Sequence, residues 1–227
     1  MKGILNVDIR LTETEVRILG ALMEKQISTP DYYPMTLNGL TNACNQKSSR
    51  DPVVSFDENT MLTGLNILRD KKLAYVFHGS DSRVPKYGHI FDKFFDLTPP
   101  EIAAMCVLML RGPQTPGEVR SRTTSLYSFS DLTEVEETLR SLETKEPDPL
   151  IIRLPRQPGT KESRYVHLLC GKPEFDEIEI APRTESARVR VSADTERMAK
   201  LEEEVKTLRE EIAELKQLFS DFRKQFE

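Results

Sequence analysis

The chain has 227 residues, a mass of 26.0 kDa and a net charge of −5 from 32 basic and 37 acidic side chains. That is room for one or two domains, and the acidic balance gives a polyanionic partner no global support. Hydrophobic residues make up 38% and charged residues 30%, and no run approaches the ~18 apolar residues of a bilayer-spanning helix. The amino terminus lacks the basic-then-apolar layout of a secretory signal, so the expectation is a cytoplasmic chain with no membrane partner. Cys44, Cys106 and Cys170 are an odd number without a Cys-x-x-Cys pair, which reads as reduced, mostly buried thiols.

In chain order, Leu11-Thr12, Glu15, Leu22 and Thr29-Pro30 recur 86 residues later as Leu97-Thr98, Glu101, Leu108 and Thr115-Pro116. This predicts two tandem copies of one small domain. The first helix of each opens on a capping box, Thr12 to Glu15 and Thr98 to Glu101, in which hydroxyl and carboxylate satisfy free first-turn amides. Val16, Leu19, Leu22 and Met23 form the apolar stripe of one; Ile102, Met105, Val107, Leu108 and Met109 form that of the other. Second helices start near Thr36 and at Thr115-Pro116-Gly117-Glu118, where cap, first-position proline and returning Glu coincide. Third helices follow from about Asp57 to Lys72, with Leu62, Leu65 and Leu68 aligned, and from about Asp131 to Lys145, with Val135, Leu139 and Leu142 aligned.

Each third helix gives way to a β-rich run, Leu73 to Phe77 and Leu150 to Leu154. Turn-rich loops over His78 to Pro85 and Pro155 to Ser163 then lead to return strands at Lys86 to Phe91 and Arg164 to Cys170. Helix, helix, helix, hairpin is the winged-helix order. The fold class expected is mainly α with small β-wings (α+β): winged-helix domains over 1–95 and 96–171, a linker over 172–194, and a coiled-coil helix over 195–227. In that last segment Val205, Ile212 and Phe219 occupy a positions and Leu201, Leu208, Leu215 and Phe222 occupy d positions. In a parallel pair Glu204 would face Arg209 and Glu211 would face Lys216, which favours a homodimer. A helix folded back on its own globular body is the other reading of the same heptads.

No Gly-x-Gly-x-x-Gly or P-loop occurs, and His78, His89 and His167 have no second ligand at metal spacing. With no nucleophile-base pair visible, the expectations are no cofactor, no metal, no catalytic residue and no enzymatic activity. Binding remains. Asn45, Gln46, Lys47 and Arg50 form a basic, amide-rich loop before the third helix of the first copy. Arg83 and Lys86 lie on its wing, and Arg120, Arg122, Arg156, Lys161 and Arg164 lie in the second copy. Amides can read base edges while Lys and Arg hold phosphates; the loop reads equally as a solvated connector. Against DNA, Asp131 to Glu146 holds six carboxylates and two cations, a surface phosphates would avoid.

Glu24-Lys25-Gln26, Tyr33-Pro34, Asn38-Gly39, Ala43 to Lys47, Arg50 to Val53, Leu110 to Glu118 and Arg164 to Leu168 resemble the bacterial YceH-like family over roughly residues 11 to 170. The resemblance implies a tandem winged-helix fold without an assigned activity, and it carries no catalytic residues over. Two functions stand open: a dimeric regulator binding double-stranded DNA through the loop and wings, and a protein-interaction adaptor whose acidic third helix, with Glu134, Glu136 and Glu137, is a docking face.

Overall fold

Thr12 starts the first helix as the sequence predicts: its hydroxyl accepts from the Glu15 amide at 3.3 Å, and α1 runs over Glu13–Ser28. Acidic Glu13 and Glu15 sit at the positive end of the helix and Lys25 at the negative end. The helix stops where the Thr29 amide and hydroxyl both donate to the Lys25 carbonyl and Pro30 opens a short 3-10 turn. The two-residue strand β1 (Met35–Thr36) then leads into α2 (Leu37–Asn45), capped by Thr36. Asp57 caps α3 (Glu58–Asp70), followed by β2 (Ala74–Phe77), β3 (Lys86–His89) and a single turn α4 (Phe91–Phe94).

The order then repeats with α5 (Pro99–Arg111), α6 (Pro116–Arg122), α7 (Leu132–Glu143), β4 (Ile151–Arg153) and β5 (Tyr165–His167). This computed structural model describes residues 10–78, 84–156 and 162–172; the heptad residues Leu201, Val205, Leu208, Ile212, Leu215, Phe219 and Phe222 lie outside them, as do Arg83 and Lys161. The described chain is thus mixed α and β, with small antiparallel sheets. None of its helices is long and apolar enough to cross a membrane.

The first sheet has the order β1-β3-β2, with Met35 opposite Tyr87 and Tyr75 opposite Gly88. Gly88 makes room there for the Tyr75 ring, which crosses the strand at that point: a Cβ would lie 2.4 Å from it, and the ring would have to move. The second sheet pairs Ile151 with His167 and Arg153 with Tyr165. Gln114 bridges to Tyr165 on its other side, occupying the place that Met35 takes beside Tyr87.

One electrostatic device appears in both halves. The buried carboxylate of Glu15 meets Lys71 Nζ at 2.6 Å, and that ammonium also donates to the Arg10 carbonyl. The buried Glu101 meets Lys145 at 3.1 Å, and Lys145 donates to the Asp96 carbonyl. Each lysine thereby ties the end of the third helix to the start of the first. This corrects the expected capping box at Thr12: half of it forms, because Glu15 turns to Lys71, whereas Glu101 does accept from the Thr98 amide at 2.8 Å.

A single apolar core runs through both halves, from Val16, Leu19 and Leu22 to Met105, Leu108 and Leu139. Its central seam joins α1 and α5, where Gly20 lets Leu110 and Met109 approach and the Cys106 thiol donates to the Gly20 carbonyl. Further ties are Leu11 N–H to Leu169 O at 2.7 Å and Asp51 N–H to Leu110 O at 2.9 Å. Leu62 departs from the expected stripe. Three-residue steps drift around a 3.6-residue helix, so α3 buries Met61, Leu65 and Leu68 and leaves Leu62 39% exposed.

Candidate functional site

The amide-rich loop after α2 is built inward. The Asn45 side chain exchanges two hydrogen bonds with the Phe56 backbone, each 2.8 Å, closing the loop across its base. Gln46 donates to the Ser48 carbonyl, and Ser49 takes a left-handed φ of 58°. That turn directs Arg50 into the protein, where its side chain is 0% exposed and forks onto both Glu24 oxygens at 3.0 and 2.6 Å. The same guanidinium donates to the Ala43 and Ser49 carbonyls.

Arg17 of α1 and Arg111 of α5 grip the loop from outside, through the Pro52 carbonyl at 2.6 Å and the Ser49 hydroxyl at 2.7 Å. Burial, and then the nearby Arg50 charge, lower the Arg17 pKa. Of the four loop residues expected at a phosphate, Lys47 is the exposed one.

The cations of the second half are placed in a similar way. Glu118 returns to the Thr115 amide, completing a capping box for α6, and Arg164 meets the same carboxylate at 2.5 Å while donating to the Pro113 carbonyl. Burial pushes the Glu118 carboxyl up, but the Thr115 amide and Arg164 outweigh it and hold its pKa below the usual value. Arg122 reaches Glu118 at 3.7 Å and bonds to Gln114 Oε1. Arg120 donates to the Ser130 carbonyl, tying α6 to the start of α7. Lys86 is half-buried on β3, and Arg156 is exposed beyond β4. The structure therefore joins Arg122 and Arg164 through one carboxylate, and it seats Asn45 and Arg50 in the body of the fold.

The third helices show what is presented instead. Along α3 the exposed side chains include Asn59, Leu62, Thr63, Asn66 and Ile67, the last 37% exposed. On the neighbouring sheet Tyr75 and Phe77 point outward from β2, and Phe77 is 48% exposed. On α7, Glu136, Glu137 and Arg140 are exposed, while Glu134 is occupied by the Tyr127 hydroxyl at 2.6 Å and by the Ser130 amide and hydroxyl.

Beside α7 lies a groove of about 350 Å³, bounded by Leu132, Glu136, Arg140 and Glu143 on one wall and by Arg153 and Tyr165 of the β4–β5 hairpin on the other, with Pro116, Arg156, Glu162 and Ser163 completing its lining. Leu132 also lines an adjoining cleft with Arg120 and Phe129. Among the described residues no group of His, Cys, Asp and Glu could hold a metal ion. His89 and His167 are held neutral, with burial pushing both down to about 4.

The family described as "Protein of unknown function, DUF480" matches residues 11–160. The chain belongs to that family. Its similarity to curated relatives runs nearly the full length: a UPF0502 protein of Geotalea uraniireducens is 50% identical over 221 residues, 97% of this chain and 100% of the relative. One from Photobacterium profundum is 44% identical over 216 residues, 93% and 97% of the two chains. A third, from Opitutus terrae, is 59% identical over 172 residues, covering 76% of this chain and 75% of its own. These matches agree with the YceH-like resemblance, and the name UPF0502 assigns these relatives no activity.

Sequence reasoning passed over Gln114 and the Arg140–Arg153–Tyr165 grouping. Gln114 is fully buried, its amide bonding to the carbonyls of Arg111, Gly112 and Pro113. Its place one residue before the Thr115 cap was the available signal. The groove residues come from a helix and a hairpin far apart in sequence, which no local pattern joins.

Proposed function

We propose that this DUF480 chain is a non-enzymatic protein–protein adaptor made of two tandem winged-helix units, with the C-terminal heptads pairing two chains. The observation that carries the reading is the chemistry of the two third helices. In DNA-reading relatives of this architecture that helix enters the major groove, where a neutral or basic face is needed. Here α7 offers the carboxylates Glu136 and Glu137, and α3, although its amides and hydroxyls are neutral, exposes the apolar Leu62 and Ile67 among them. A mixed polar and apolar helix face suits a protein partner.

The internal engagement of Arg50, whose side chain is buried, supports the same reading, as do the pairing of Arg122 and Arg164 with Glu118 and the hydrogen bonds of Asn45 to the Phe56 backbone, which occupy groups a duplex would contact. Winged-helix units serve readout and scaffolding alike, so the site chemistry and not the fold decides.

The test places a photo-crosslinking amino acid at Asn66 of the full chain and identifies the protein captured. That protein is then purified and its affinity measured for the parent chain and for Leu62→Glu/Ile67→Glu. The adaptor reading expects direct binding that the double variant weakens at least about tenfold, the effect of a lost hot spot. A chain that crosslinks to nucleic acid alone overturns it.

A further inference from the structure

The groove beside α7 has a composition that the fold does not explain. Its α7 wall is one helical stripe, Leu132, Glu136, Arg140 and Glu143, at spacings of four, four and three residues. Its opposite wall is the inner face of the hairpin, where Arg153 and Tyr165 are cross-strand partners and so share a side. Among the described residues, Arg17, Arg50, Arg111, Arg122 and Arg164 are each tied down by a hydrogen bond or an ion pair. Among the described residues, the Arg140 and Arg153 guanidinium groups have neither an ion pair nor a hydrogen bond, and the Tyr165 hydroxyl has no hydrogen-bond partner.

Glu143 turns one oxygen to the Arg153 backbone amide at 3.3 Å, which leaves the side-chain fork of Arg153 open. Two guanidinium groups and a phenol converging on one groove form a carboxylate receptor, since forked N–H donors match the two oxygens of a carboxylate. Glu136 on the same stripe provides a place for a cation. A phosphodiester backbone carries no cation to pair with the lining carboxylates Glu136, Glu143 and Glu162 and would be repelled by them. A protein segment can place opposite charges side by side and so match the pattern.

We propose that the groove between α7 and the β4–β5 hairpin docks an extended segment of a protein partner in which an acidic side chain stands beside a basic one, the acid held by Arg140, Arg153 and Tyr165 and the base by Glu136. This assignment rests on the adaptor reading and supplies the chemistry of its partner. The apolar wall, Leu132, seats the backbone of the segment.

The test selects a random-peptide phage library on the full-length chain, with counter-selection on Arg140→Ala/Arg153→Ala. Because neither guanidinium has an ion pair or hydrogen bond among the described residues, that variant is expected to melt with the parent, and a thermal melt checks it. Enriched peptides should share an Asp or Glu next to a Lys or Arg. Their synthetic forms should bind the double variant at least about tenfold more weakly, the loss expected for charge-assisted hydrogen bonds. Replacing the peptide's acid by its amide should weaken binding to the parent by a similar factor.

Enriched peptides that bind parent and variant equally overturn the proposal. So does free glutamate that binds as tightly as the peptides, because an extended segment is then not what the groove selects. Peptides lost instead on Leu62→Glu/Ile67→Glu overturn the groove assignment and leave the adaptor reading standing. Duplex DNA binding with a steep salt dependence overturns the adaptor reading itself.

Discussion

Replacing Arg50 by alanine removes the most heavily bonded cation of the first half. Its guanidinium donates to both oxygens of Glu24 at 3.0 and 2.6 Å, to the Ala43 carbonyl through two nitrogens and to the Ser49 carbonyl, while its side chain is 0% and that of Glu24 14% exposed. Breaking a buried pair from one side costs about 3–5 kcal/mol, because the remaining charge loses its partner without regaining water. The residual exposure of Glu24 admits some hydration and points to the lower end, about 3 kcal/mol. At this chain length that is a fall of roughly 6–12 °C in Tm.

Urea or thermal unfolding followed by tyrosine fluorescence is a suitable assay: the chain has no Trp, and its six Tyr fall between residues 32 and 165. Arg50→Lys should recover part of the loss, since an ammonium restores the charge without the fork. Pairing each variant with Glu24→Gln in a double-mutant cycle should reveal a coupling of about 2 kcal/mol or more between the two side chains. A loss below about 1 kcal/mol for Arg50→Ala, accompanied by loss of duplex binding, would refute this reasoning and restore Arg50 to the surface as a phosphate ligand.

Gly20→Val inserts atoms at the α1–α5 seam, where a bare Cβ already lies 2.9 Å from Leu110 and 3.2 Å from Met109; overpacking should cost about 1–3 kcal/mol in a urea midpoint, and an unchanged midpoint would mean the seam is not packed as described. Burial lowers the His89 pKa from 6.5 to about 4, with Asp92 at 3.6 Å opposing only in part. The unfolded chain therefore takes up a proton that the folded chain refuses, so stability should fall as pH drops from 6.5 to 4, by up to about 1.4 kcal/mol per pH unit from this group. His89→Phe should reduce that slope, His167 supplying the same dependence over the same range, and an unaltered slope would count against a buried neutral imidazole at position 89. Deleting residues 195–227 should convert a dimer to a monomer by light scattering; a monomer before and after deletion sinks the pairing of the heptads.

Much of the fold was legible because its signals are local. Thr12, Thr36, Thr98 and Thr115 each stand immediately before a helix, with hydroxyls placed to accept from a free first-turn amide, and the alternation of β-branched and turn residues located both hairpins. The two-residue strand β1 escaped notice because pairing with Tyr87 and Lys86, not its own composition, makes it a strand. The turn α4 escaped because Phe91, Phe94 and Phe95 read as apolar filler until their rings are seen against one another. The candidate site was harder to read than the fold. An arginine in a polar loop looks like a phosphate ligand, and its partner Glu24 lies 26 residues earlier on another helix. Charge type is written in the sequence, whereas direction is set by the Ser49 turn and by the clamp of α1 and α5.

The most direct test of the central claim is fluorescence anisotropy of the full-length chain with random-sequence duplex DNA at about 50 mM and about 200 mM salt, since phosphate contacts release counterions and their affinity falls steeply over that range. The adaptor account predicts no saturable binding at the lower salt, from a surface whose third helices offer Glu136, Glu137, Leu62 and Ile67 and whose Arg50 and Arg164 are held by Glu24 and Glu118. Saturable binding that weakens by about a hundredfold or more between the two salt concentrations, the signature of several neutralised phosphates, would contradict it.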